Sequence, residues 1–265
     1  MSLMINTNLA AMDANRNLNG TESSLSTAMQ RLSSGLKINS AADDVAGYAI
    51  SQNLQGQVNG LNQATQNSQD AVSLAQTAQG SLNDVEQMLQ RVRELAVQYA
   101  NGTTSEADKE AINSEVTQLT SEIERVGETT QFNGIDLLSK EATISFQVGA
   151  NDKEVIGVKT ADLKTAIEKK IELKGAEPIK GIDEAIDKVS ALAGEFGAVQ
   201  DRIQYTESNL ETYSQNLSSA VSGITDVNMA AEMTNFTKLQ VLEQAGVSVL
   251  AQANAQPQAV LKLLG

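Results

Sequence analysis

The sequence contains no cysteine, no histidine and no tryptophan, and proline occurs only at Pro178 and Pro257. Without thiols there is no disulfide framework and no redox dithiol. Without histidine as well, the usual zinc ligands are missing, and so is every catalytic scheme that turns on imidazole or thiolate. Aromatic residues are scarce, 4 Tyr and 4 Phe in 265 residues, so any core must be aliphatic. The charge is one-sided. Against 33 acidic residues stand 19 basic ones, a net charge of −14, which repels a nucleic-acid backbone. Long apolar runs are absent too. The uncharged stretch near the C-terminus, Gln244 to Leu261, includes Gln244, Ser248, Gln252, Asn254, Gln256 and Gln258, too many polar groups for a membrane span. Met1 to Gly20 carries only Asp13 and Arg16 as charges, so no cleavable signal peptide is expected.

What the chain does have is helical periodicity of coiled-coil type. Leu61, Ala64, Ser68, Ala71, Ala75, Ala78, Leu82, Val85, Leu89, Val92, Ala96 and Tyr99 are spaced alternately three and four. That spacing keeps one stripe facing a partner helix over about 58 Å. Asn101-Gly102-Thr103-Thr104-Ser105 breaks the pattern with turn residues, and a shorter seam follows at Ile112, Val116, Leu119, Ile123 and Val126. A second long seam runs Ile182, Ala185, Val189, Leu192, Phe196, Val199, Ile203, Thr206, Leu210, Tyr213, Leu217, Ala220, Ile224. Two long helices of matched length, with the 112–126 helix as a third, predict an elongated antiparallel helical bundle, a rod.

Between the seams lies a β signal. Ile144, Phe146 and Val148 alternate with polar residues, Gly149-Ala150-Asn151-Asp152 can turn, and Val155-Ile156-Gly157-Val158 returns, which predicts a hairpin at about 142–159. Residues 153–188 mix eight lysines with eight acidic residues and read as a solvated surface excursion. The chain ends differ from the middle. Leu25, Met29, Leu32 and Leu36 form a stripe near the N-terminus. Toward the C-terminus Val227, Met229, Met233, Phe236, Leu239, Leu242, Val249 and Leu250 form a broad apolar surface with few charges. Either the two ends pack on each other or they await a partner.

Several words in this sequence resemble bacterial flagellin. They are Ile5-Asn6-Thr7-Asn8, the run Arg31 to Ser40 (RLSSGLKINS), Ala42-Asp43-Asp44-Val45-Ala46-Gly47, the run Gln90 to Gln98 (QRVRELAVQ) and Thr130-Gln131-Phe132-Asn133-Gly134. Near the C-terminus Ser248 to Asn254 (SVLAQAN) and Pro257 to Leu261 (PQAVL) belong with them. The resemblance covers about 5–141 as an N-terminal region and about 181–264 as a C-terminal region. It implies a mainly α chain with discontinuous domains. Residues 1–42 and 225–265 would form an axial coiled-coil domain at the filament core, and 43–224 an outer helical rod domain with the small β-hairpin. Only a short central stretch separates the halves, so large outer domains are not expected.

Function follows from the same resemblance. It implies a structural subunit, not an enzyme, that needs no cofactor or metal. The subunit is expected to leave the cell by flagellar type III export and to polymerise into the hollow helical filament used for motility. Its ends are expected to be disordered in the monomer and to fold on assembly. Expected partners are copies of itself, an export chaperone, the hook-associated junction and cap proteins, and the host innate immune receptor TLR5, with no role for nucleic acid or membrane. The receptor site is expected at Gln90, Arg91, Glu94, Leu95, Gln98 and Glu115, with Arg91 and Leu95 one step off the seam. Chaperone binding and polymerisation are expected at Val227, Met233, Phe236, Leu239, Leu242, Val249, Leu250, Leu261 and Leu264. Two alternatives share many of these features: a hook–filament junction protein of the same family, and a soluble coiled-coil scaffold. Asp43-Asp44 is the nearest thing to a carboxylate pair, but adjacent helical residues diverge, so capping or surface charge is the expected role.

Overall fold

The structure, a computed structural model, describes residues 7–167, 171, 173 and 177–264, with the side chains of 257–264 excepted. The elements in order are α1 (Leu9–Ser34), α2 (Val45–Tyr99), α3 (Glu106–Thr129), β1 (Gln131–Phe132), β2 (Ile135–Asp136), β3 (Thr143–Gln147), β4 (Val155–Lys159), α4 (Leu163–Ile167), α5 (Pro178–Thr225) and α6 (Met229–Leu264). The fold is mainly α, with two small antiparallel strand pairs. The chain forms two compact units. One is built from the chain ends, Met1–Gly56 with Leu217–Gly265, and the other from Gln57–Asn216.

The central unit is held together by the predicted seams. Every seam residue of α2 from Leu61 to Ala96 is buried, and Tyr99 at the end is half-buried. Side chains bridge α2 and α5 in a fixed register: Asn62 with Ser214 at 3.2 Å, Gln69 with Glu207 at 2.9 Å, Glu86 with Ser190 at 3.5 Å, Arg93 with Asp183 at 2.6 Å. As one number rises the other falls by the same amount, so the helices run antiparallel without a slip. Ile112, Val116 and Ile123 of α3 are buried against this pair. The cap at Ser105 starts α3 where the seam break predicted. The Ser105 hydroxyl accepts the Asp108 N–H while the Asp108 carboxylate accepts the Ser105 N–H, a reciprocal box.

Three features depart from the sequence reading. Leu74 and Leu95, one residue before the seam positions Ala75 and Ala96, are also buried. Alanine seam positions leave room that the neighbouring leucine fills, so the buried stripe of α2 is wider than a two-helix seam. The α5 seam, by contrast, ends early. Leu210 is its last buried member and Tyr213 is 48% exposed. Beside it Asn62, Thr65 and Gln66 of α2 line an open groove with Ser214 and Gln215 of α5. Third, the 153–188 excursion is not simply solvated. Ile156, Val158, Ala161, Leu163, Ile167 and Leu173 are buried in the core. Lys169, Lys170 and Lys174 lie outside the described residues.

The strands seat this excursion. The predicted hairpin forms with β3 and β4 paired from Thr143↔Lys159 to Gln147↔Val155. It docks on α2 where a side chain would be in the way: a Cβ at Gly60 would lie 3.0 Å from the Cβ of Ala150 in the hairpin turn. Asn67 of α2 also donates to the Gln147 carbonyl at 2.9 Å. Thr160, buried just after β4, donates to the Lys140 carbonyl and accepts the Ala142 N–H, both at 2.7 Å, so its hydroxyl is satisfied. The β1–β2 hairpin is an addition. Its turn residues Asn133 (φ 49°) and Gly134 (φ 77°) are both left-handed, the two-residue turn that Asn-Gly favours.

Candidate assembly and interaction surfaces

The unit built from the chain ends is organised by the pairing of α1 with α6. Asn8 caps α1 by accepting the Ala11 N–H, and its side-chain amide donates to the Ala253 carbonyl at 2.8 Å. Leu18 packs against Gly246, where an added Cβ would lie 3.2 Å from Leu18 Cδ1. Leu36 bridges Asp226. These three meetings place α1 and α6 antiparallel. The facing residues are spaced three and four on both helices: Ala11, Ala14, Leu18, Thr21, Leu25, Ala28 and Leu32 against Glu232, Phe236, Leu239, Glu243, Gly246, Leu250 and Ala253, all buried or half-buried. The α6 seam therefore contains two glutamates and a glycine. That is why its apolar residues alone do not reveal it.

A tight loop joins α1 to α2. Gly35 closes α1 in the left-handed region at φ 74°. The Lys37 N–H then donates to the Thr225 carbonyl at 2.6 Å and the Val227 N–H to the Gly35 carbonyl at 3.0 Å, which ties the loop to the end of α5. Asp43 and Asp44 divide the remaining work. The Asp43 carboxylate accepts the N–H groups of Asn39 and Ser40 and the Ser40 hydroxyl. Those backbone donors hold its carboxyl below the usual carboxylate range. The anchor is thus at full strength above that range and is lost as pH falls through the lowered value. Asp44 accepts the Gly47 N–H at 3.0 Å and caps α2, one of the roles expected for it.

The chain-end unit covers little of its own apolar surface. Leu18, Ala28, Ile38 and Ala253 are its buried apolar residues among those described. Leu9, Met12, Met29, Val45, Ile50, Met229, Met233, Val241, Leu242, Val247 and Val249 are 46% to 72% exposed. Of the residues expected to serve polymerisation or a chaperone, Met233, Leu242 and Val249 are in this exposed set, whereas Val227, Phe236, Leu239 and Leu250 are half-buried. Leu261 and Leu264 lie outside the residues whose side chains are described. On α6 the exposed apolar residues flank the seam on both sides, and Val241 lies opposite it. A helix apolar on all faces belongs in an interior. Covering these side chains would contribute on the order of 10 kcal/mol per subunit.

On the central unit, the α2–α3 surface carries a charged cluster. The Arg91 guanidinium reaches Glu115 of α3 at 3.0 Å and Glu94 of its own helix at 3.1 Å. Hydrogen bonds to Glu115 and then Glu94 raise its pKa further above the ordinary value. Gln90, Arg91, Glu94, Gln98 and Glu115 are all exposed. Leu95 is not: at 2% exposure it belongs to the core with Val92, Ile112 and Val116. The cluster so displayed is polar, and Leu95 supports it from beneath.

Comparison with known proteins settles the family. A model of the bacterial flagellin N-terminal helical region matches residues 5–143, and a model of the flagellin C-terminal helical region matches 179–264. This chain belongs to the bacterial flagellin family. Flagellin of Halalkalibacterium halodurans is 46% identical over 99% of this chain and 100% of its own. Flagellin of Bacillus subtilis is 40% identical over the same shares. The crystal structure of Bacillus cereus flagellin aligns with 59% of this chain and 94% of its own, at 29% identity and a TM-score of 0.51. The family is structural, and the two matched regions are separated in this chain by a short central segment. Among the described residues no helix is long and apolar enough to cross a membrane, and no group of acidic residues could hold a metal ion.

Proposed function

We propose that this flagellin is the structural subunit of a bacterial flagellar filament and that the α1–α6 pair is its main assembly surface. The observation that carries the reading is the large exposed apolar surface of that pair. Copies adding head to tail, each covering part of the next pair, make contacts that do not close and so generate an open helix. An isolated pair buries too little to offset the conformational entropy of ordering two helices, so the ends fold as neighbours arrive. The subunit works by packing and has no catalytic role. It acts outside the cell after export through the flagellar type III channel.

An export chaperone fits the same chemistry. A segment as apolar as α6 needs masking before assembly, and the exposed Met233, Leu242 and Val249 are suited to it. Full-length chain is expected to capture the chaperone from cytoplasm, and chain lacking residues 225–265 is not. Equal recovery of both would remove the α6 assignment. The hook-associated junction and cap proteins would meet the same surface at the two filament ends.

The exposed cluster around Arg91 supports recognition by the receptor TLR5. Arg91 is held in place by Glu94 and Glu115, so a partner meets an ordered guanidinium on a rigid helix. The Arg91→Ala variant is expected to lower receptor-reporter activation about tenfold or more, the size usual for a charged interface anchor. Unchanged activation by well-folded Arg91→Ala protein would rule this site out.

A further inference from the structure

Asn-Gly occurs four times: Asn19-Gly20, Asn59-Gly60, Asn101-Gly102 and Asn133-Gly134. The pair matters because an asparagine side chain can react with the backbone nitrogen of the next residue, and glycine leaves that nitrogen unhindered. The fold treats the four differently. Asn59-Gly60 lies inside α2, where the backbone is fixed and each N–H is committed to the helix ladder, and Asn19-Gly20 lies inside α1, which on the proposed reading is fixed in the same way only on assembly. Asn133-Gly134 is pinned in its left-handed turn by the pairs Phe132↔Ile135 and Gln131↔Asp136. Asn101-Gly102 sits in the exposed turn between α2 and α3, outside any helix or strand ladder, and only Asn101 is tied, its N–H to the Gln98 carbonyl and its carbonyl to the Thr104 N–H, both at 3.2 Å.

We infer that Asn101 is a site of spontaneous deamidation, the Asn-Gly pair of the central unit that the fold leaves most open to reaction. The local geometry favours the reaction. The Thr103 N–H donates to Asn101 Oδ1 at 3.4 Å, a turn that folds the side-chain carbonyl back over the Gly102 peptide. Among the described residues the Gly102 N–H donates no hydrogen bond. Solvent base takes the proton from the Gly102 nitrogen, and the nitrogen lone pair bonds to Asn101 Cγ. The bond from Cγ to the side-chain nitrogen breaks, and that nitrogen leaves as ammonia, protonated by solvent. Water then opens the resulting five-membered imide at either carbonyl. The product at position 101 is an aspartyl residue or its isoaspartyl isomer.

Either product alters the α2–α3 turn. A new carboxylate appears just beyond the last turn of α2, where the helix dipole disfavours negative charge. The isoaspartyl form also lengthens the backbone by one carbon. That displaces the tie in which the Thr104 hydroxyl donates to the Gln98 carbonyl at 3.0 Å.

The test is to incubate full-length monomer in mildly alkaline buffer and follow each Asn-Gly peptide by mass spectrometry, with isoaspartyl methyltransferase labelling as a second readout. Within the central unit Asn101 is expected to convert roughly tenfold or more faster than Asn59, which must open locally first, and ahead of Asn133. Gly102→Ala is a benign control, because a Cβ there meets nothing within 4 Å. It should suppress the reaction at position 101 alone. Conversion at Asn59 as fast as at Asn101, or an intact Asn101 while Asn133 reacts, overturns the inference.

Discussion

Replacing Val241 and Val247 by aspartate is expected to abolish filament growth while leaving the central unit folded. Both side chains are exposed in the subunit, at 60% and 53%, so neither charge disturbs its internal packing. Both lie on α6, whose charges among the described side chains are only Glu232, Lys238 and Glu243. If a neighbouring subunit covers this helix, each new carboxylate is buried without a partner and costs several kcal/mol. A penalty of about 4 kcal/mol raises the concentration needed for growth about a thousandfold. The check is sedimentation of polymer after seeding, with the far-UV helical signal and the melt of the monomer measured in parallel. The isosteric Val241→Thr variant separates charge from shape and should grow, though less well. Growth of the double aspartate variant at the parental concentration would show that α6 faces solvent in the polymer.

The second large effect belongs to the central unit. Leu89 is fully buried at the junction of α2 with the rest of the core. Truncating it in Leu89→Ala leaves a cavity among closely packed aliphatic neighbours, at a cost of about 3 kcal/mol. In a unit of this size the melting temperature should fall by roughly 10 °C. By contrast Arg93→Ala, which removes an exposed ion pair with Asp183, should leave the melt nearly unmoved despite its 2.6 Å contact. Thermal denaturation of soluble monomer distinguishes the two. An unchanged melt for Leu89→Ala would mean that the seam does not carry the unit's stability.

These contrasts explain which parts of the fold could be read from the residues. Where one apolar stripe faces one way, as from Leu61 to Ala96 and from Ile182 to Leu210, spacing alone locates the core. Leu74 escapes that reading because the seam spacing leaves it out, whereas Leu95, one step off the seam, packs with Ile112 and Val116 of the third helix. The α6 seam was hidden for the opposite reason. Glu232, Glu243 and Gly246 occupy seam positions while Met233, Val241 and Val247 lie outside it, so the apolar residues have no single direction. That lack of direction is what the proposed coverage of α6 on several sides requires. The β1–β2 hairpin had a local signal in Asn133-Gly134 between Phe132 and Ile135, which the family word containing it obscured.

The candidate surfaces were legible to a different degree. Asp43 and Asp44 could be expected to cap, since adjacent carboxylates on a helix diverge, but only the folded loop shows that Asp43 binds Asn39 and Ser40 while Asp44 starts α2. Arg91 and Glu115 are separated by 24 positions, so their ion pair follows from the packing of α3 on α2 and not from spacing. The resemblance grouped them with Leu95. The structure keeps Arg91 and Glu115 at the surface and puts Leu95 into the core.

The central claim is that the chain ends are an assembly surface and that the subunit is complete only in a polymer. Electron microscopy of purified monomer, before and after adding short filament seeds, tests it most directly. The account predicts long, uniform, hollow filaments that extend the seeds. Monomers that stay dispersed, or a short layer that forms at the seed ends and stops, would contradict it.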